Sequence, residues 1–352
     1  MKILHCADIH LGSKIEAKFP KDKSDERKRE LRASLGRVVQ YAKDNDIKII
    51  ILAGDVFDSD RPLKKDKEFF YNVIKNSREI DFLYLRGNHD ILESYIEFGL
   101  DNLKTFSDEW SSYEYGDVVI SGIELGNDNA VSLYSTLKLD KDKKNIVVLH
   151  GQISESSGKD NVQLKKLRNK NIDYLALGHI HSYSSTKIDE RGVSVYSGCL
   201  EGRGFDECGE KGFVEIDIGD SVSHRFIKNS FRTINEVEID LSDVSDVYAA
   251  SQKVKSFIKC SPNDIVRVIL TGEVEFDTTG LDRELEKLLV MDYYVVLAKN
   301  RTVRKYDVEA LSGDISLRGE FVRVVLSSDR SQEEKDAIIS CGLRALDGRE
   351  VV

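Results

Sequence analysis

The sequence predicts an α/β protein: a layered domain of mixed β sheets flanked by helices, then a small α+β domain and C-terminal helices. Three observations predict it. Short runs rich in Ile, Val and Leu alternate with amphipathic stretches over about the first 230 residues. Polar or glycine-bearing clusters follow most of those runs, as loops do beyond the carboxyl ends of a parallel sheet. Near Asn235 the texture changes to a shorter alternation of strand-like and helix-like segments.

Taken in order, Ile3–Ala7, Ile47–Ala53, Phe82–Leu85, Val118–Ile123, Ile146–Leu149 and Tyr174–Leu177 read as strands. Between the first two, Leu31, Leu35, Val38, Val39 and Ala42 recur on one helical face, with Ser24 expected as the N-cap and Asp25 and Glu26 in the first turn. Val193–Tyr196, Phe213–Ile218 and Val222–Ile227 read as hairpin-like strands. Beyond them, Val237–Leu241, Asp246–Ile258, Ile265–Leu270, Leu281–Leu289 and Tyr293–Ala298 read as β-α-β-α-β, and Gly319–Ser327 and Gln332–Leu346 as two helices. The expected boundaries are 1–231 for the layered domain, 232–312 for the small domain and 313–352 for the helical segment.

Composition excludes several classes. With 40% hydrophobic residues, 32% charged residues and only 3 prolines in 352 positions, the chain has material for a core and no Pro-rich tail. No run approaches the roughly 18–20 apolar residues of a membrane span, and Met1–Asp8 reads as a strand start rather than a secretory signal, so a cytoplasmic protein with no membrane partner is expected. Cys6, Cys199, Cys208, Cys260 and Cys341 are widely spaced without C-x-x-C, which suits reduced thiols. The net charge of −10 weighs against a nucleic-acid partner, and both parts of a chain divided at Phe231 are acidic.

The chemistry lies at strand ends. Asp8-Ile9-His10 follows the first run, Gly54-Asp55 the second, Gly87-Asn88-His89-Asp90 the third, His150-Gly151 the fifth and Gly178-His179-Ile180-His181 the sixth. Strand-end loops of an open α/β sheet share one crevice, so these carboxylates, amide and imidazoles converge. Hard oxygen donors mixed with neutral imidazoles suit a pair of divalent Mn, Fe or Zn ions. In D-x-H and H-x-H, residues two apart on an extended segment face the same side, and the two oxygens of Asp55 can bridge two ions. Such a pair, roughly 3.5–4 Å apart, supports in-line attack on phosphorus. Each motif alone has an ordinary reading as a turn or cap; the ordered set carries the inference. His5 and His224 fall outside it and read as sheet residues.

The series D-x-H, G-D, G-N-H-D, H-G and G-H-x-H resembles the calcineurin-like metallophosphoesterase superfamily. Leu11-Gly12, Asp55-Val56-Phe57-Asp58, Tyr196-Ser197-Gly198-Cys199-Leu200-Glu201-Gly202-Arg203, Lys211-Gly212-Phe213 and the closing run from Gly319-Glu320-Phe321-Val322-Arg323 to Gly342-Leu343-Arg344-Ala345-Leu346 narrow the resemblance to SbcD-type DNA repair exonucleases, in their YhaO-like bacterial branch. The resemblance implies the metallophosphoesterase fold, with two divalent ions, Mn²⁺ first among them. Asp8, His10 and His181 would hold one ion, Asn88, His150 and His179 the other, with Asp55 bridging. His89 would act on the leaving oxygen, and hydroxide would attack with no covalent enzyme intermediate.

The activity so implied is a two-metal DNA exonuclease, with single-strand endonuclease activity, acting in repair beside an SbcC-like SMC/ABC-type ATPase and associating with the nucleoid when on DNA. The alternative is a phosphodiesterase or phosphatase for small nucleotides or other phosphate esters. Homodimerisation is implied by the resemblance alone. Lys14, Lys18, Lys21 and Lys23, then Arg27, Lys28, Arg29 and Arg32, then Arg61, Lys64, Lys65 and Lys67 are basic clusters. Arg61, Lys64 and Arg203 are expected at phosphates, while Arg27–Arg32 reads equally as a solvated helix face. The small domain, with Arg301, Arg304 and Lys305, either orients DNA as a cap or simply packs. Ala337, Ile338, Leu343 and Leu346 either dock the ATPase or close the chain's own core.

Overall fold

The computed structural model describes residues 1–15, 19–90 and 100–346. Lys18 and the last six positions of the 313–352 segment lie outside them. The chain forms two compact units, Met1–Ile234 and Asn235–Val352. The division falls three residues beyond the expected one, and the second unit takes in both 232–312, apart from its first residues, and the helical segment expected after it.

In chain order the first unit contains β1 (Lys2–Cys6), α1 (Lys21–Asp44), β2 (Ile49–Ala53), α2 (Lys64–Lys75), β3 (Asp81–Leu85), β4 (Leu103–Thr105), β5 (Ser111–Tyr115), β6 (Val118–Gly122), α3 (Leu133–Thr136), β7 (Lys144–His150), β8 (Gln152–Ile153), β9 (Asn161–Val162), α4 (Leu164–Leu167), β10 (Tyr174–Gly178), β11 (Ser184–Lys187), β12 (Val193–Tyr196), β13 (Gly212–Ile218) and β14 (Val222–Lys228). Two six-stranded sheets result, ordered β14-β13-β1-β2-β3-β4 and β11-β12-β10-β7-β6-β5. β1 to β4 run parallel, as do β6, β7, β10 and β12; the outer strands pair antiparallel.

Side-chain alternation explains why β2 is apolar at every position. Ile49, Ile51 and Ala53 join Ile146, Val148, Tyr174 and Ala176 of the other sheet in one core between the sheets. Ile50 and Leu52 face the opposite way, against Leu35, Val38 and Ala42 of α1 and Phe70 and Ile74 of α2. A strand buried on both faces has no room for the polar half of an alternating pattern. Val147, Leu149, Leu175 and Leu177 face away from the sandwich towards Leu133 and Leu167 of α3 and α4.

The apolar face expected for α1 is buried as the periodicity predicts, but the N-cap is not. Ser24 lies inside a helix that starts at Lys21 behind Pro20, and its N–H donates to the Pro20 carbonyl at 2.9 Å. Proline fixes an extended entry without a side-chain cap, so the helix begins earlier than a search for Ser or Asp suggests. Arg27 is neither a phosphate ligand nor part of a solvated face. It is 1% exposed, donates to Glu201 at 3.1 Å and to the Gly202 carbonyl at 2.8 Å, and pairs with Glu30. Arg32 is held by buried Asp66 of α2 at 2.7 Å. Both charges tie α1 to neighbouring segments.

The second unit contains β15 (Ile234–Asp240) from its second residue, α5 (Val247–Phe257), β16 (Ile265–Thr271), β17 (Glu273–Val274), α6 (Leu281–Leu289), β18 (Val295–Asn300), β19 (Val303–Arg304), α7 (Val308–Ser312), α8 (Leu317–Leu326) and α9 (Gln332–Leu346). A three-stranded sheet β15-β16-β18 packs its apolar face on Ala250, Val254, Leu281, Leu285 and Leu289. Asp246 caps α5 through the Ala249 N–H at 2.8 Å. Of the apolar residues on the last helix, Leu343 and Ile338 join Val322 and Val325 of α8 in a small core, while Ala337 and Leu346 are exposed. Lys305 pairs with Glu275 at 3.6 Å, and Arg304 lies over the Tyr306 ring. Among the described residues no helix is long and apolar enough to cross a membrane, and all five cysteines are free.

His5, on β1, is fully buried and contacts the Tyr174 hydroxyl at 2.9 Å. Burial, with a smaller push from His224, lowers its pKa to about 3. Folding therefore selects the neutral ring, and below the ordinary value of 6.5 the unfolded chain binds the extra proton. This contribution is intact above pH 6.5 and is lost as pH falls towards 3, costing about 2 kcal/mol by pH 5. Denaturant unfolding from pH 7 to 5 should show a shallower acid loss for His5→Gln than for the parent chain; identical slopes would remove His5 as the cause.

Candidate metal centre

All five sequence clusters meet at the carboxyl ends of parallel strands: β1, β2 and β3 of one sheet, β7 and β10 of the other. The backbone bends sharply there. Asp8, His10, Asp55 and His179 have φ of 51°, 50°, 53° and 97°, a region L-residues rarely adopt. Ladder-like bonds hold the first two in place, from Asp8 N–H to the Gly54 carbonyl and His10 N–H to the Asp55 carbonyl, both 3.0 Å. Four such residues at one site are conformations that the surrounding structure must hold in place.

The side chains form two groups sharing Asp8. Donor atoms of Asp8, His10 and His181 lie within 4.8 Å of one another, as do those of Asp8, Asp55 and His150. The Nε2 atoms of His10 and His181 are 3.2 Å apart and aim at one point. His150 Nε2 lies 3.3 Å from Asp55 Oδ2 and 3.1 Å from Asn88 Oδ1. The His179 ring stands perpendicular to that of His150, 5.4 Å between centres. The His179 backbone N–H donates to both Asp8 oxygens, at 2.9 and 3.1 Å. His89 is exposed beside this group; its backbone N–H donates to Asp55 Oδ1 at 3.0 Å and its ring centre is 5.4 Å from that of His10.

Electrostatics favour cations. Asp8 and Asp55 are buried, and among the described residues neither is paired with a lysine or arginine. Burial, reinforced by Asp55, raises the Asp8 pKa against the pull of the nearby imidazoles. Burial also acts upward on Asp55, but the hydrogen bond and charge of His150, with help from His10, hold it well below the usual carboxylate range. Burial would lower His150; the Asp55 and Asp8 carboxylates outweigh it and lift the ring to about 9. His179 is lowered by burial and by His150. Two buried carboxylates with no lysine or arginine partner among the described residues, set among four imidazoles, are a donor set that fits divalent ions.

Glycines make the room. A Cβ on Gly54 would lie 2.2 Å from His150 Nδ1, and one on Gly178 would lie 2.0 Å from the Ala53 carbonyl oxygen. Several supporting residues carry no role in the sequence reading. Asp90 closes the Asn88–His89 turn by accepting the N–H groups of Gly87, Phe57 and Val56 at 3.0, 2.9 and 3.2 Å, and burial pushes its pKa up to about 6. Glu207 accepts from His181 Nδ1 at 2.7 Å. Asp58 lies 3.2 Å from His10 Nδ1. Asp90 and Asp58 sit inside motifs the sequence displays; Glu207 has only its spacing from Arg203 as a signal.

Of the basic residues expected at phosphates, Arg61 and Lys64 are exposed, Lys64 within 3.6 Å of Glu68. Arg203 is 16% exposed and turned inward, onto Glu207, Asp58 and Ser13.

The calcineurin-like phosphoesterase family profile matches residues 1–183. The chain belongs to the calcineurin-like phosphoesterases. This member of the family is 27% identical over 320 residues to the uncharacterized metallophosphoesterase YhaO of Bacillus subtilis (strain 168), covering 82% of this chain and 77% of that one. It is 28% identical over 204 residues to the DNA double-strand break repair protein Mre11 of Sulfurisphaera tokodaii, covering 53% of this chain and about half, 51%, of the relative. A dimetal phosphatase from Danio rerio aligns at 10% identity and a TM-score of 0.41, over 65% of this phosphoesterase and 98% of the other chain. As a calcineurin-like phosphoesterase the chain is a phosphate-ester hydrolase with candidate ligands for a dinuclear divalent metal site.

Gly178→Ala should push the Ala53 carbonyl away from His150, destabilise the fold by about 1–3 kcal/mol and weaken Mn²⁺ binding. Thermal melts with and without Mn²⁺ check this, and an unchanged melting temperature in both would contradict the packing read from Gly178.

Proposed function

We propose that this phosphoesterase is a two-metal DNA nuclease, an exonuclease that also cuts single strands, working in DNA repair with an SbcC-like ATPase and with Mn²⁺ as its natural ion. Asp8, His10 and His181 would hold one ion and Asn88, His150 and His179 the other, with Asp55 shared between them. Bound there, the ions supply water activation and neutralise charge on phosphorus. The chain's own groups do the rest. The Asp90-closed turn presents exposed His89 to the leaving oxygen, where its imidazole holds or donates a proton. Asp55 anchors that turn through the His89 N–H.

The observation that supports a chain substrate over a free monoester is a second cleft near the ligand cluster, beyond the one that its ligands line. One of about 230 Å³ is lined by Asn88, His150 and Lys159. The other, of about 360 Å³, is lined by Ser13, Lys14, Arg203 and Glu207. Lys14 and Lys159 are exposed, and among the described residues no ion pair engages either. A monoester needs only the space its phosphate occupies, whereas a polynucleotide extends beyond it. The likeness to Mre11 supports DNA as that chain. Arg61 and Lys64 would meet the backbone without reading bases, and Arg203 would act from behind the ligands.

A phosphodiesterase for small nucleotides is the second reading. It is favoured by the net charge of −10 and by the use of Arg27, Arg32 and Arg203 in internal ion pairs.

End-labelled blunt duplex DNA and a chromogenic diester, each incubated with Mn²⁺ and the purified chain, separate the two. Shortening of the duplex, weakened by added salt, is expected; diester cleavage beside intact DNA favours the small-substrate reading. His89→Ala should lose turnover, at least about 100-fold, while retaining two bound ions. Asp55→Ala should lose both ions by elemental analysis. Retention of two ions in Asp55→Ala, or loss of metal in His89→Ala, would reverse those assignments.

A further inference from the structure

The histidines of the two proposed metal positions are backed by different chemistry. His150 Nδ1 contacts a neutral group, the Ala53 carbonyl, at 2.9 Å. His10 and His181, whose Nε2 atoms converge, are each backed by a carboxylate at Nδ1: Asp58 at 3.2 Å and Glu207 at 2.7 Å. Arg203 joins the two, reaching Asp58 at 2.9 Å with Nη1 and Glu207 at 3.0 Å with Nε.

Glu207 itself is fixed. Its side chain is 3% exposed and accepts the Arg203 backbone N–H at 2.8 Å. The backbone of His181 is pinned independently, because Lys211, 2% exposed, donates to its carbonyl at 2.8 Å. An imidazole can ligate through Nε2 only when its proton sits on Nδ1, and that N–H needs an acceptor. Arg203 Nη2 also approaches His181 Nδ1, at 3.1 Å, but a guanidinium has no lone pair to offer. Glu207 is therefore the acceptor that leaves Nε2 free.

We propose that Glu207 is the positioning residue of the Asp8–His10–His181 site. Held by Arg203, it sets the His181 tautomer and ring plane and raises the affinity of that site alone; Asp58, 3.2 Å from His10 Nδ1, contributes only its charge. The inference rests on the dinuclear reading above. It makes the two positions unequal by construction: one carries outer carboxylates behind its histidines, the other a backbone carbonyl.

Calorimetric titration of the metal-free chain with Mn²⁺ tests this without reference to turnover. Asn88→Ala isolates the Asp8–His10–His181 site, and His181→Ala isolates the other. Adding Glu207→Gln to Asn88→Ala should weaken binding by about 10- to 100-fold; adding it to His181→Ala should change binding less than twofold. Equal weakening in both backgrounds, or none in the first, overturns the proposal, since a residue acting through the general fold would not depend on His181. Should Glu207→Gln fail to fold, as judged by circular dichroism in chelator, Glu207→Asp in the same two backgrounds decides: weakened binding only where His181 is present supports the proposal, and equal weakening or none overturns it. A parent chain that takes up fewer than two ions overturns the dinuclear reading itself, whereas two ions with an indifferent Glu207 overturns only this inference.

Discussion

The bond between His150 Nδ1 and the Ala53 carbonyl is the tie on which the site depends. It joins the end of β7 to the end of β2, and so one sheet to the other, at the edge where every chemical residue emerges. The acceptor can only be the carbonyl, so the bond places the His150 proton on Nδ1 and turns Nε2 towards Asp55 and Asn88. Gly54 and Gly178 crowd this bond so closely that neither tolerates a Cβ. Packing of the sheets, tautomer and ligand direction are thus one constraint. The left-handed backbone at Asp8, His10, Asp55 and His179 is held by the same convergence.

Much of the centre was legible because a strand end is a local signal. Ile49–Ala53 followed by Gly54-Asp55, or Tyr174–Gly178 followed by His179 and His181, announces a strand, a turn and a donor within a few residues. The face of α1 was legible for the same reason, through its period. What escaped depends on partners distant in sequence. Arg27 looks like part of a basic surface until Glu201 is brought against it, and Arg203 looks like a phosphate ligand until Glu207 and Asp58 close on it. Glu207 shows no motif, since its meaning lies in a ring 26 positions earlier. The start of α1 was misplaced because proline can open a helix without a side-chain cap.

These corrections also temper the charge argument. A chain with net charge −10 has fewer free cations than its 52 lysines and arginines suggest, because several of the arginines nearest the site hold its walls together. A polyanion would then be attracted chiefly by the ions and by isolated lysines such as Lys14 and Lys159, and non-specific affinity would be modest and steeply dependent on ionic strength.

The pairing of β1 with β13 has a kinetic meaning. Lys2 lies opposite Asp217, so the first strand completes its hydrogen bonds only with chain made more than two hundred residues later. During synthesis β1 can add β2 on one side, but its other edge, from Lys2 to His5, waits unpaired. Contacts of such long separation make folding slow. The interval in which that edge is open is when a nascent chain would most need a chaperone, and it ends only after β13 has left the ribosome.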